Sequence, residues 1–266
     1  MLNVYIRKGK TMAHVNVISH RGANKYAPQN TVPAFKKSLE IGIDGFETDV
    51  HLTADDHIVI CHNYTVDETS NGFGKVSDMT LGRLRELDFG SYFSEKFVGT
   101  QLPMLEEFLE LCKDESVKVM NIEIKEPLNG DKTIADKTIA MVKEYGLFDK
   151  LIISSFDPEI IKQCKKVDPA CKTGFLYSPE RKIYYYKMLF NYIGYAKEIG
   201  ADYLHPHYSL VSASYVERCH KNGIGVNPWT VDDDNQVKRM LNCGVDGIIT
   251  NVPDSVNKLV AEFEAE

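Results

Sequence analysis

Apolar residues recur along the chain at two alternating spacings. Short runs with β-branched or period-two character alternate with longer stretches whose apolar residues fall three and four apart. Val15 to Ser19 predicts a first strand. Asn30 or Thr31 then caps a helix with Ala34, Phe35 and Leu39 on one face, ending at Gly42. Gly45 to Leu52 predicts the second strand, and Ile58 to Cys61 is an extended piece counted with it. Further strands are predicted at 117–124, 151–155, 172–176, 203–205, 225–229 and 247–250. Helices are predicted around 105–112, 131–144, 158–166, 184–199, 212–222 and 234–243, with a last one from Pro253.

Strand–helix alternation implies a parallel sheet with right-handed crossovers. Eight such units predict an α/β fold of the closed (β/α)8, or TIM-barrel, kind. A doubly wound open sheet is the alternative. It would carry a G-x-G-x-x-G turn after its first strand, where this chain has Ser19-His20-Arg21-Gly22. Between about 63 and 103 the periodicity weakens and Thr, Ser, Asp and Gly dominate, with one short helical stretch near Leu81 to Leu87. This reads as a small insertion after the second strand. Asn71 to Lys75 lacks P-loop spacing and reads as a turn. One catalytic barrel domain is therefore expected over 12–266, insertion included, preceded by a tail at 1–11.

Composition narrows the partners. The 266 residues carry 31 Lys and Arg against 38 Asp and Glu, a net charge of −7, which argues against nucleic-acid binding. No apolar run approaches the roughly 18 residues of a membrane span, so no stable membrane insertion is expected. Arg7, Lys8 and Lys10 interrupt any secretory signal core, so a cytoplasmic location is expected. Cys61, Cys112, Cys164, Cys171, Cys219 and Cys243 form no C-x-x-C pair and read as reduced core residues.

The polar residues at predicted strand ends carry the chemistry, because strand C-termini face the active site of such a barrel. The first strand ends in His20-Arg21. In the second, Glu47 and Asp49 share a face, since strand side chains alternate. The extended run Ile58 to Cys61 delivers His62. Asn121, Glu123 and Lys125 share one face of the third strand, and the only tryptophan, Trp229, ends the seventh. Three carboxylates in one barrel mouth repel one another unless they take up protons or a cation. Oxygen-only ligation favours Mg²⁺, Ca²⁺ or Mn²⁺ over zinc. Arg21 and Lys125 suit a phosphate, and His20 and His62 can move protons near neutral pH. Together these describe phosphoryl transfer or phosphodiester cleavage.

Plainer readings stand beside these. Glu47 and Asp49 could be an exposed strand face, Glu123 and Lys125 a simple ion pair, and His20 a structural residue. His205-Pro206-His207 resembles a zinc pair but reads as packing or pocket rim. Asp232, Asp233 and Asp234 read as a helix start. Tyr184 to Tyr195 reads as an amphipathic helix face, with a lipid-contacting surface as the lesser alternative.

The ordered motifs resemble the glycerophosphodiester phosphodiesterase family. They are HRG at 20–22, Pro-x-Asn-Thr at 28–31, GFETDV at 45–50, His62 after VIVIC, NG at 71–72, LPMLEEFLE at 102–110, NIEIK at 121–125, NPWTVDD and DGIITNVPD, spanning roughly 15–260. The resemblance implies a (β/α)8 barrel that hydrolyses small-molecule glycerophosphodiesters to glycerol 3-phosphate and an alcohol, using a divalent metal. It implies Glu47, Asp49 and Glu123 as metal ligands, His20 and His62 as the acid–base pair, and Arg21 and Lys125 on the phosphate. Trp229 is expected to bound a glycerol pocket. An attack at phosphorus by the neighbouring glycerol hydroxyl, giving a cyclic phosphate that water opens, is the expected route. Two positions depart from the family pattern: Gln29 replaces Glu, and His62-Asn63 replaces His-Asp. The second bears on the orientation and pKa of His62. A sphingomyelinase D-like phospholipase and a non-catalytic phosphodiester-binding barrel are the competing functions.

Overall fold

The computed structural model describes residues 4–7, 10–128 and 130–265. At its start β1 (Val4–Arg7) and β2 (Lys10–Ala13) pair antiparallel as a separate two-stranded sheet. The barrel begins with β3 (Asn16–His20), α1 (Val32–Ile41) and β4 (Gly45–Leu52), against which β5 (Ile58–Ile60) folds back antiparallel. After α2 (Leu81–Arg85) and α3 (Leu105–Leu111) come β6 (Val119–Ile124), α4 (Thr133–Glu144), β7 (Leu151–Ser155) and α5 (Pro158–Val167). Next are β8 (Lys172–Tyr177), α6 (Lys182–Ile199), β9 (Tyr203–Pro206) and α7 (Ala213–His220). β10 (Gly225–Val226), α8 (Asp234–Cys243), β11 (Gly247–Thr250) and α9 (Pro253–Ala265) complete the chain.

Parallel pairing runs β10-β9-β8-β7-β6-β4-β3-β11. Main-chain bonds from Asp246 N to Val226 O and from Ile249 N to Pro228 O, both 3.0 Å, join the two ends into a (β/α)8 barrel. The seventh strand is shorter than the predicted 225–229 because Pro228 has no N–H to give the ladder. Two apolar layers lie between sheet and helices. One contains Phe35, Phe46 and Phe108 packed edge to face, with centroids 4.9 to 5.5 Å apart. Residues 63–103 pack a smaller core of their own around Val66, Val76, Leu84, Leu87 and Phe89.

A Cβ on Gly174 would lie 2.7 Å from the His205 ring, so glycine there makes room for a buried imidazole. His205 is thus a packing residue of the lumen, while His207 stands at the rim beside Trp229, ring centroids 5.8 Å apart. Tyr195 buries itself against the barrel, whereas Leu189 and Phe190 are exposed near a break in α6 at Asn191. The side chains of Tyr184, Tyr185 and Tyr186 lie outside the described residues.

The lower end of the barrel repeats one device three times. Helices α1, α6 and α8 each end on a left-handed glycine, Gly42, Gly200 or Gly244, followed by one apolar residue and an aspartate. The aspartate side chain accepts a main-chain N–H of the preceding strand: Asp44 from Val17 at 3.0 Å, Asp202 from Thr173 at 2.9 Å, Asp246 from Val226 at 2.7 Å. Its own carbonyl accepts from the following strand, through Lys118, Gly225 and Asn16 respectively. Each aspartate therefore ties three strands in register.

Candidate active site

β3 and β4 pair so that His20 lies beside Glu47, and β4 and β6 so that Asp49 lies beside Glu123. Alternation along β4 turns Phe46, Thr48 and Val50 away and leaves Glu47 and Asp49 facing the lumen. One oxygen from each of Glu47, Asp49 and Glu123 lies within 4.8 Å of the others, and all three residues are buried. Lys125 Nζ is 2.7 Å from Asp49 and 2.6 Å from Glu123, and Arg21 Nε is 3.5 Å from Asp49.

These carboxylates are not equivalent. Burial, reinforced by Asp49 and Glu123, pushes Glu47 well above the usual carboxylate range. Burial also raises Glu123, against the opposing charge of Lys125. At Asp49 burial is outweighed by Lys125 and Arg21, which hold it low. The same acids overcome the burial of Lys125 and raise it. Three acids against two cations leave one negative charge in excess inside the protein. An oxygen-only donor set with that excess fits a hard divalent cation.

Both histidines are anchored by Nδ1. His20 Nδ1 lies 2.7 Å from Asn251 Oδ1, and Asp232 holds Asn251 through its side-chain amide at 2.6 Å and its main-chain N–H at 2.8 Å. His20 Nε2 is then turned to Glu47, 3.8 Å away. His62 Nδ1 lies 2.6 Å from Asn63 Oδ1. Burial lowers His20 to about 3, helped by Arg21. Burial and Lys125 lower His62 to about 4, although Asp49 opposes them. Asn63 keeps the orienting hydrogen bond but brings no negative charge to stabilise an imidazolium. Gln29 Oε1 likewise accepts from Arg21 Nη1 at 2.7 Å without neutralising it.

The structure thus brings His20, Arg21, Glu47, Asp49, His62, Glu123 and Lys125 together, and Trp229 lines the same cavity of about 180 Å³. Phe156, Leu176, Trp229 and Ile249 supply the apolar part of its lining. The Trp229 N–H is fixed to His205 O at 2.7 Å.

Three supporting residues escaped the sequence reading. Asn30, at φ 56°, donates to Asp49 Oδ2 at 2.8 Å and accepts from Thr48 at 2.9 Å, so it aims the central carboxylate. The Asn-Thr of the turn at 28–31 was the available signal. Asn251 orients His20. Asp232 belongs to this network and not to the helix start, where Asp233 is the N-cap of α8.

Residues 20–255 match the sequence model of the Glycerophosphoryl diester phosphodiesterase family. A glycerophosphodiester phosphodiesterase of Caldanaerobacter subterraneus subsp. tengcongensis is 42% identical over 92% of this chain and 97% of its own length. One from Bacillus altitudinis is 30% identical over 93% and 99%. Among solved structures, a putative glycerophosphoryl diester phosphodiesterase of Silicibacter pomeroyi superposes with a TM-score of 0.86 at 26% identity, covering 98% of this chain and 96% of that one. An Oleispira antarctica phosphodiesterase, solved with its product sn-glycerol-3-phosphate, has the same fold at a TM-score of 0.82 and 24% identity, covering 93% and 97%.

Proposed function

The chain belongs to the glycerophosphoryl diester phosphodiesterase family and is a phosphoric diester hydrolase; on that premise we propose that it cleaves glycerophosphodiesters to glycerol 3-phosphate and an alcohol by metal-dependent, two-histidine catalysis. The observation that carries this reading is the convergence of Glu47, Asp49 and Glu123 within 4.8 Å, beneath two oriented imidazoles. The Oleispira structure supports glycerol 3-phosphate as the retained product.

Glu47, Asp49 and Glu123 would hold Mg²⁺ or Ca²⁺, with Mn²⁺ a third fit. When bound, such an ion supplies Lewis-acid stabilisation of the charge that grows on the phosphate oxygens. Arg21 and Lys125 hold and neutralise the phosphodiester from the same side. Nδ1 of each histidine donates to an asparagine carbonyl oxygen, so Nε2 carries the lone pair when the ring is neutral and a second proton when it is imidazolium. One Nε2 takes the proton of the glycerol hydroxyl beside the phosphorylated carbon. That oxygen bonds to phosphorus as the bond from phosphorus to the alcohol oxygen breaks, and the other histidine, entering the step as imidazolium, gives its Nε2 proton to the departing alcohol oxygen. Water then opens the cyclic phosphate with the proton transfers reversed. Trp229 packs the glycerol carbons, leaving the hydroxyls to the polar side of the cavity.

The test is turnover of glycerophosphocholine before and after chelation. Activity should vanish and return with Mg²⁺, Mn²⁺ or Ca²⁺. Full activity of a metal-stripped sample would remove the ion from the mechanism. A diester without the neighbouring hydroxyl should react far more slowly, and comparable kcat/KM for bis(4-nitrophenyl) phosphate would exclude internal attack. No described helix is long and apolar enough to cross a membrane. We assign the enzyme to the cytoplasm, because its six cysteines are free thiols. Thiol labelling in fractionated cells tests that assignment.

A further inference from the structure

We infer that Arg181 recognises an anionic group on the leaving alcohol, so that the enzyme prefers glycerophosphodiesters whose head group carries a carboxylate. This inference rests on the hydrolase reading above and adds a specificity residue to it.

The cations of the mouth divide into two kinds. Arg21 and Lys125 are each within 3.5 Å of an acid of the cluster. Arg181 lines the same cavity, yet among the described residues no carboxylate oxygen lies within 4.0 Å of its guanidinium. It is nevertheless held in place. Its guanidinium carbon lies 3.9 Å from the centroid of the Phe156 ring. Phe156 in turn meets Trp229 edge to face at 5.6 Å. A guanidinium stacked on a ring keeps its in-plane N–H donors free, and their fork matches a carboxylate.

Position decides which part of the substrate it meets. With the diester at Arg21 and Lys125 and the glycerol against Trp229, the leaving alcohol remains to be placed. Phe156 carries Arg181, which is exposed, at the rim of the cavity. A head group leaving along this rim passes Arg181. Glu180 also lines the cavity and suits an ammonium. A zwitterionic head group such as serine answers both signs of charge, whereas ethanolamine lacks the group Arg181 would bind.

The experiment compares glycerophosphoserine with glycerophosphoethanolamine, which differ by one carboxylate. Wild type should favour the serine diester by about tenfold in kcat/KM, mainly through KM, the scale of one charge-assisted contact. Arg181→Leu should bring the ratio to about one, and Arg181→Lys should retain part of it, since ammonium keeps the charge but loses the fork. Arg181 is exposed, so these variants should fold. Equal use of both diesters by wild type, or an unchanged preference in Arg181→Leu, would overturn the inference while leaving the hydrolase reading intact. An equal loss on both substrates would overturn it too, by placing Arg181 on the reacting phosphate. Failure of wild type to turn over either diester with Mg²⁺ or Ca²⁺ would overturn the hydrolase reading and this inference with it.

Discussion

At the lower end of the barrel Asp44, Asp202 and Asp246 each accept a main-chain N–H and lie against cationic side chains of their own, whereas at the mouth Glu47, Asp49 and Glu123 crowd together around Lys125 and Arg21. Asp44 pairs with His14 at 3.0 Å and Lys118 at 2.8 Å, Asp202 with Lys165 at 2.6 Å, and Asp246 with His220 at 2.8 Å. Each lower acid is satisfied by the fold itself, and its charge contributes to register and stability. The upper acids carry more negative charge than the protein returns to them, so burial and mutual repulsion raise Glu47 and Glu123. Their energy is recovered only when something positive enters. One barrel thus satisfies the same functional group at one end within the fold and gathers it at the other into a cluster that could hold a cation.

The sharpest way to break this comparison is to remove charge at the mouth. Asp49→Asn should lower kcat/KM by roughly 10³-fold or more, because the several kcal/mol supplied by a bound cation are lost with it. Glu47→Gln should be as damaging, yet in chelator it should leave stability unchanged or raise it by about 1 kcal/mol, since a repelled buried charge is gone. A large fall in chelated melting temperature for Glu47→Gln would mean that the mouth acids stabilise the fold after all. His20→Ala and His62→Ala should each cost about 10²-fold or more in kcat, the scale of a lost acid or base, while metal affinity largely survives. Near-normal kcat in either variant would remove that ring from the chemical step.

Removing charge at the lower end should do the reverse. Asp44→Ala deletes an acceptor of one main-chain N–H and two cationic side chains. Denaturant unfolding should show a loss of roughly 2–3 kcal/mol, as for hydrogen bonds to a charged group. Below its melting temperature the variant should keep kcat within about twofold of wild type. A loss of activity without a loss of stability would show that the two ends are not separable.

The contrast also explains which features the sequence disclosed. Alternation within Phe46-Glu47-Thr48-Asp49-Val50 put two carboxylates on one strand face, and the lumen receives both because their neighbours pack outward against Phe35 and Phe108. Strand positions were legible wherever β-branched runs were long. The seventh strand stops short of 229 because Pro228 has no N–H to give the ladder. Residues that act by aiming others were hidden. Asn30 reaches Asp49 through a positive-φ turn, and Asn251 meets His20 only because β11 closes against β3. No spacing rule connects positions 231 residues apart. The lower aspartates are a different case, since Gly42-Ile43-Asp44, Gly200-Ala201-Asp202 and Gly244-Val245-Asp246 repeat one pattern in plain view. Its meaning, a helix stop followed by a strand staple, needed the strand neighbours to be known.

The smallest expected effect is the pH dependence of the lower end, and its two limbs have opposite signs. Burial tends to raise Asp44, but hydrogen bonds from His14, Lys118 and Val17 outweigh it and lower the carboxyl from 3.8 to about 2. A depressed carboxyl stabilises the fold above its unfolded pKa and loses that contribution as pH falls through the folded value. Between about pH 4 and pH 2 wild type should therefore lose roughly 2 kcal/mol that Asp44→Asn does not. His14 is shifted the other way. Hydrogen bonds to Asp44 and then Glu264 raise it above 6.5, with burial opposing them. Both ring nitrogens face carboxylate oxygens, at 3.0 and 2.6 Å, so the doubly protonated ring is the form the site prefers. Its contribution is full below the unfolded pKa of 6.5 and fades as pH rises through the raised folded value. His14→Gln should accordingly flatten the alkaline side of the stability profile and shrink the acid limb of Asp44, which Lys118 and the Val17 N–H then sustain in part. Unfolding free energies measured across pH 2 to 9 in chelator, which keeps cation binding at the mouth out of the balance, would show both limbs. An alkaline limb that survives His14→Gln would assign that dependence to another group.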